Sequence, residues 1–463
     1  MSETLDVIAP FNGEPLGTLP ITTSAEVEAA LAVAHALYRD RRRWIPKQDR
    51  VAILRRAAAI VRQRCESLAL QVASESGKPL RDALIELDRG VDGIELCIET
   101  LRNDDGHVIP MNLNATSQGR VAFTQMEPIG VVLGLAAFNH PFNLVIHQVA
   151  PAVAAGAPVI VKPSPKTPLS CRAIVDIFCE AGLPEGWMQM ILPVDLELIG
   201  NMVADPRVGF MSFIGSAAVG WKLRSMLAPG ARCALEHGGV APIIVAADAK
   251  LTEAGPRIGR AGFWHAGQAC VSAQRIFCAN EVLDDLVEGL VEVAGAMTIG
   301  DPTSSDTEVG PLISHAEADR VEQWVAKSGA TIAVGGQRLS PSTYANTVLV
   351  EADPMAEVSR REVFGPVISV YAFDSIDEAL VSANDLPFSF QAAVFSQDID
   401  TAMYCYQNLD GTAIMVNEHP LFRVDWMPFA GARESGLGVG GIPHCVRDMQ
   451  TEKMMVWRSD VLR

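Results

Sequence analysis

Three short stretches of the chain hold side chains suited to covalent chemistry on a carbonyl group. "GQACVSAQR", residues 267 to 275, sets Cys270 among small residues that allow close approach, and Gly267 can adopt backbone conformations that other residues resist. "LEHGG" sets Glu236 just before Gly238 and Gly239, where a general base has room to swing. "AAFNHPFN" carries Asn139, whose amide can donate to a developing oxyanion. A thiol, a carboxylate and an amide donor are the parts of nucleophilic acyl chemistry. Each also has an ordinary alternative: Cys270 an inert buried thiol, Glu236 a turn cap, Asn139 an Asx turn before Pro141.

Gathering the three requires elements that end at one place. Thr23 followed by Glu26 reads as a capping box, and residues 49–102 repeat apolar side chains at helical spacing, so the first hundred residues are expected to be mainly helical. After the Asn-, Asp- and Gly-rich stretch 103–119, "RVAFTQMEPIGVVLGLAAF" reads as two short strands around Pro128. Apolar strand-like runs then alternate with helical ones, through "GVVLGLAAF", "APVIVKP", "MQMILP" and "VGFMSFIG". The alternation restarts at "PIIVAAD" and runs on through "QRIFCAN", "TIAVGG", "FGPVISVYAF", "QAAVFSQ" and "GTAIMVN". Continuous apolar strands separated by helices predict two α/β lobes built on parallel sheets covered on both faces. Ligands collect outside the carboxyl ends of such strands, which predicts one pocket for three strand-end residues. "FIGSAAVG" puts Gly215 and Ser216 at a strand-to-helix turn with free N–H groups for a phosphate, although GxGxxG is absent and a Ser-capped turn fits equally well.

Composition removes other classes. A net charge of -18, from 37 basic against 55 acidic residues, argues against a nucleic-acid or anionic-membrane partner. The nine cysteines lack CxxC pairs, so neither a disulfide framework nor a metal site is expected, and a reducing cytoplasm fits best. The N-terminus lacks a signal-peptide pattern, and no run approaches the roughly 18 apolar residues of a membrane span.

Eight segments in order, "FNHPFN", "VKPSPKTPLS", "FIGS", "LEHGG", "GQAC", "REVFGPV", "VNEHP" and "PFAGARESGLG", give the chain a resemblance to the NAD(P)-dependent aldehyde dehydrogenase superfamily from about Pro10 to the last twenty residues. The resemblance implies an aldehyde dehydrogenase-like α/β fold: two Rossmann-like lobes and a small β oligomerisation element. It assigns residues 1–113 and 128–235 to a dinucleotide-binding domain, 236–429 to a catalytic domain, and 114–127 with 430–463 to the bridging element. It makes Cys270 the nucleophile, Glu236 the base for deacylation and Asn139 the oxyanion donor beside the Cys270 N–H. It gives NAD or NADP as cofactor. Lys162 and Ser164 would bind it, Lys162 at the adenine ribose, with Gly215 and Ser216 at the pyrophosphate, Glu362 at the nicotinamide ribose and Phe364 near the nicotinamide. The implied reaction oxidises an aldehyde to a carboxylic acid through a Cys270 thiohemiacetal and thioester.

The chain departs from the family pattern at Phe138, His237 and His265, where Trp, Leu and Asn are usual, and at Pro165, where NAD-preferring members often have Glu. Without that carboxylate, weaker discrimination against NADP is expected. "AGQACVSAQR" and "FRVDWMPFAG" most resemble subgroups acting on small polar aldehydes, lactaldehyde-like or phosphonate- and phosphate-bearing. Arg423, His140 and His265 would then face an anionic group or serve as scaffold. The rivals are a coenzyme-A-acylating enzyme, against which Glu236 argues, an aromatic aldehyde dehydrogenase, and a non-catalytic scaffold. The C-terminal "MQTEKMMVW" is an apolar edge strand expected to join a hairpin near residues 115–127 and to be covered in a homodimer or homotetramer.

Overall fold

A computed structural model describes residues 3–103 and 106–461; residues 1, 2, 104, 105, 462 and 463, which fall in segments assigned above, lie outside the described residues. The chain opens on an antiparallel hairpin, Thr4–Ile8 with Pro15–Pro20, that the helical expectation missed. Its signal was Asn12–Gly13 between two short runs, and Gly13 takes the positive φ of 76° that such a turn needs. Thr23 then caps the helix Ser24–Arg39 reciprocally: Glu26 N donates to its hydroxyl at 3.3 Å, and Thr23 N donates to the Glu26 carboxylate at 2.8 Å. Three long helices follow, Lys47–Gln63, Cys65–Ser76 and Leu80–Arg102.

Two sheets carry the site. The first runs in spatial order Gly436–Leu437, Arg232–Glu236, Val208–Ile214, Val131–Leu135, Val159–Lys162, Met188–Met190, all parallel except the short first strand. Every residue of Val131–Leu135 is buried, as a continuous apolar run between helix layers should be. The chain leaves this strand toward one edge of the sheet and returns later to place Val208–Ile214 on its other side. The crevice between their carboxyl ends is therefore a topological switch point.

The second sheet has seven strands in the order Thr331–Val334, Thr347–Val350, Val367–Phe373, Arg275–Ala279, Ile243–Val245, Gln391–Phe395, Ala413–Val416, antiparallel only at the first pair. A third sheet pairs Gln450–Arg458 with Arg120–Pro128 antiparallel over nine residues, and the partner hairpin strand is Val108–Ile109. The hairpin thus begins upstream of residue 115, because the turn spans 110–119. Among the described residues no strand pairs with the outer edge of residues 451–458, where Met454, Met455, Val456 and Trp457 are exposed.

Candidate active site

The carboxyl ends of the first sheet face the second sheet across a cavity of about 650 Å³. Asn139, Glu236 and Cys270 line it, and so do Lys162, Ser164, Gly215, Ser216, Glu362 and Phe364. Asn139 follows Val131–Leu135, and Glu236 is the last residue of Arg232–Glu236. Cys270 differs from the expectation. It precedes Arg275–Ala279, at the amino end of a strand, in a loop that enters the cavity from the second sheet.

That loop is held in an unusual shape. After the helix Leu251–Phe263, the residues His265, Ala266 and Gly267 take φ of 49°, 53° and 70°, a left-handed turn that costs the two side-chain-bearing residues roughly 1–2 kcal/mol each. At Gly267 a Cβ would fall 2.0 Å from the Gly365 carbonyl oxygen, so glycine is needed for space as well as for φ. Gln268 then pins the turn. Its Nε2 donates to the His265 and Pro311 carbonyls at 3.1 and 3.2 Å, and its Oε1 accepts from Ile313 N at 2.9 Å.

The Gln268 carbonyl accepts one N–H of Asn139 Nδ2 at 2.9 Å. A side-chain amide has two such protons, so Asn139 is fixed by one and keeps the other. It makes no Asx turn. Gly239 N donates to the Cys270 carbonyl at 3.2 Å, tying the base segment to the nucleophile loop.

Cys270 is half-buried, and among the described residues it is the one cysteine on the cavity wall. Burial and the neighbouring carboxylates of Glu236 and Glu362 push its thiol well above the ordinary range, with Arg423 opposing them. Burial likewise raises the Glu236 carboxyl, against the pull of Arg423 and Arg89. Burial raises Glu362 to about 8. At neutral pH the resting sulfur is therefore a protonated thiol. Alkylation of the cofactor-free protein by iodoacetamide should accelerate about tenfold per pH unit from pH 7 to 9. A rate already level at pH 7 would show a thiolate and contradict this electrostatic picture.

The dinucleotide end carries observations of its own. Lys162 is largely buried, and burial alone lowers its ammonium to about 8, with no carboxylate contributing. Ser216 is the N-cap residue of the helix Ala217–Arg224, but its hydroxyl makes no capping bond. Glu362 Oε1 is buried and, among the described residues, meets no hydrogen-bond partner. A cation lacking a counter-charge, a spare hydroxyl and an orphaned carboxylate oxygen on one wall fit a ligand bearing phosphates and ribose hydroxyls.

His237 supports this wall. Its Nδ1 lies 2.9 Å from the Gly215 carbonyl oxygen, its ring packs against Phe213 and Trp221, and a Cβ on Gly220 would strike it. Burial keeps it neutral. Phe138 and Phe364 meet edge to face with centroids 5.7 Å apart.

At the other end, Arg89, His140, Trp264, Leu421, Arg423 and Phe429 line the cavity. His265 does not: it is fully buried, packed against Trp264 and His140, so it cannot meet a ligand's anionic group. Arg89 lines the cavity and was missed, since nothing in the helix Leu80–Arg102 distinguishes it by sequence. Asp425 holds it in a two-point pair at 3.0 and 2.8 Å.

The model of the aldehyde dehydrogenase family matches residues 1–455. The 3-sulfolactaldehyde dehydrogenase of Priestia aryabhattai is 32% identical over 98% of this chain and 95% of its own. The lactaldehyde dehydrogenase of Methanocaldococcus jannaschii is 32% identical over 98% and 97%. Among solved structures, the glyceraldehyde-3-phosphate dehydrogenase of Methanocaldococcus jannaschii, complexed with NADP, superposes with a TM-score of 0.93 at 30% identity, covering 99% of this chain and all of that one.

Proposed function

The chain belongs to the aldehyde dehydrogenase family, and from that premise we propose that it oxidises a small aldehyde bearing an anionic group to the carboxylic acid, using Cys270, Glu236 and Asn139. The observation that carries the reading is their convergence, from three separate segments, on one cavity whose wall also carries two arginines, Arg89 and Arg423.

Cys270 Sγ gives up its proton to water in the cavity as it attacks the aldehyde carbon, forming the C–S bond, and the carbonyl oxygen gains negative charge. The free N–H of Asn139 and the Cys270 backbone N–H receive that oxygen. Lys162, Ser164, Gly215, Ser216, Glu362 and Phe364 would hold a nicotinamide dinucleotide, which when bound would supply the two-electron oxidation of the Cys270 adduct to a thioester. Glu236 then takes a proton from water as the water oxygen bonds to the acyl carbon, the C–S bond breaks, and the acid leaves. Glu236 on the cavity wall supports hydrolysis over transfer to coenzyme A. Acid formed without added coenzyme A is the expected result.

Arg89 and Arg423 support the anionic substrate class. The names of two relatives, acting on a sulfonated and a phosphorylated aldehyde, point the same way, while lactaldehyde is neutral. Across 3-sulfolactaldehyde, succinic semialdehyde, lactaldehyde, benzaldehyde and hexanal, the two anions should lead hexanal in kcat/KM by about tenfold to hundredfold. Higher values for benzaldehyde and hexanal would overturn the substrate class.

Pro165 lines the cavity close in sequence to Lys162, and no carboxylate acts on that ammonium. A 2'-phosphate meets no repulsion there, so NADP and NAD should differ by less than about a hundredfold in kcat/KM, a difference worth about 2.7 kcal/mol. A larger preference for NAD contradicts this. We also place the exposed apolar edge of residues 451–458 at a contact between copies, giving a dimer or a tetramer, and the enzyme in a reducing cytoplasm that keeps Cys270 a thiol.

A further inference from the structure

Arg423 stands among three groups without being committed to any of them. Its Nη1 lies 3.8 Å from Glu236 Oε1, its Nε 3.6 Å from Asp425 Oδ1 and its Nη2 3.4 Å from His147 Nδ1. The first two distances are Coulombic contacts too long for hydrogen bonds. Its Nε is buried and meets no hydrogen-bond partner among the described residues, and its guanidinium carbon stacks 3.5 Å from the Phe429 ring centroid.

Asp425 does not need it. That carboxylate accepts two bonds from Arg89 and faces His147 Nε2 at 2.9 Å; despite its burial, His147 and Arg89 hold it far below the usual carboxylate range. The cluster therefore holds one satisfied pair, Arg89 with Asp425, and one surplus guanidinium on the cavity wall. Glu236 is the other carboxylate within its reach. The groups facing Glu236 are Arg423 and Arg89, which favour its anion, Asp425, which opposes it, and the thiols of Cys270 and Cys445 from the neighbouring loop and helix.

We propose that Arg423 is a positioning residue shared between the base and the substrate: in the free enzyme its charge, 3.8 Å away, favours the Glu236 anion, and the anionic group of the bound aldehyde draws it off, leaving Glu236 a stronger base for water. Recognition of the distal anion and the hydrolytic half-reaction are then coupled through one side chain. A guanidinium neutralised by substrate attracts the Glu236 carboxylate less, so Glu236 becomes a stronger base once a charged acyl group occupies the site. A neutral acyl group leaves Arg423 on Glu236 and is hydrolysed more slowly. The inference rests on the anionic substrate class proposed above.

The test compares succinic semialdehyde with its neutral isostere 4-oxobutanamide, in the parent enzyme, Arg423→Lys and Arg423→Gln, measuring kcat against pH and the pre-steady-state burst. In the parent, the midpoint of the basic group governing kcat should lie higher for succinic semialdehyde than for 4-oxobutanamide, by about half a pH unit or more. In Arg423→Gln the two midpoints should coincide, and Arg423→Lys should restore part of the difference. Coincident midpoints in the parent, with succinic semialdehyde still preferred in kcat/KM, overturn the coupling and leave the substrate class standing; this arm does not depend on any variant folding. Equal kcat/KM for the two aldehydes overturns both. A midpoint difference that survives unchanged in Arg423→Gln assigns the effect to another group and overturns the role of Arg423.

Discussion

Cys270→Ser should lower NAD(P)H production by about four orders of magnitude or more, while the protein stays folded and keeps its affinity for NAD(P). The size of the loss follows from what the thiol alone supplies. A hydroxyl is a far poorer nucleophile at neutral pH, and the environment that already raises the Cys270 thiol disfavours an alkoxide more strongly. The other cysteines give no rescue: Cys97, Cys171, Cys278 and Cys405 are buried, and none of the remaining four lines the cavity. Steady-state absorbance at 340 nm checks the turnover, and cofactor fluorescence titration checks the binding. Residual activity within tenfold of the parent would mean that the chemistry does not pass through Cys270.

Glu236→Gln should separate the two half-reactions. The amide keeps the shape of the side chain and loses its basicity. Water activation should therefore fail while attack by Cys270 and oxidation of the adduct continue. Removing a general base costs about 100- to 10,000-fold, so steady-state turnover should fall by that range. A burst of one NAD(P)H per active site should remain, read by stopped flow. A variant that loses burst and turnover together would place Glu236 in the first half-reaction, taking the proton from Cys270. Because the change removes a charge beside Arg423 and Cys270, the thiol should also become more acidic, and alkylation faster at a given pH.

The strands that carry the site were legible because a parallel sheet imposes an unmistakable pattern. "GVVLGLAAF" is an uninterrupted run without polar residues and "QRIFCAN" holds the apolar run 276–279, and the structure buries every residue of Val131–Leu135 and Arg275–Ala279. The cap at Thr23 was legible because it is purely local. The Cys270 loop was legible in part: Gly267 signals a special backbone conformation. Nothing local, however, announces that the loop enters from the amino end of a strand, since that depends on how two sheets face each other.

Arg89 and Asp425 were invisible for a related reason. Their pairing links a helix near the start of the chain to a loop near its end, and neither residue stands out from its neighbours. Of the two readings of His265, anion contact or scaffold, the structure fits scaffold: its left-handed backbone goes with a ring packed against Trp264 and His140, a consequence of φ that residue type alone does not give. Gln268 carries no local signal of its role and yet holds the loop, through bonds to residues as distant as Pro311 and Ile313.

The most direct measurement is the mass of Glu236→Gln quenched in acid after mixing with NAD(P) and succinic semialdehyde. The intact protein should gain one succinyl group, with the increment on the peptide that holds Cys270 and on no peptide bearing another cysteine. A burst of NAD(P)H without that increment, or with it on a different residue, would contradict the account.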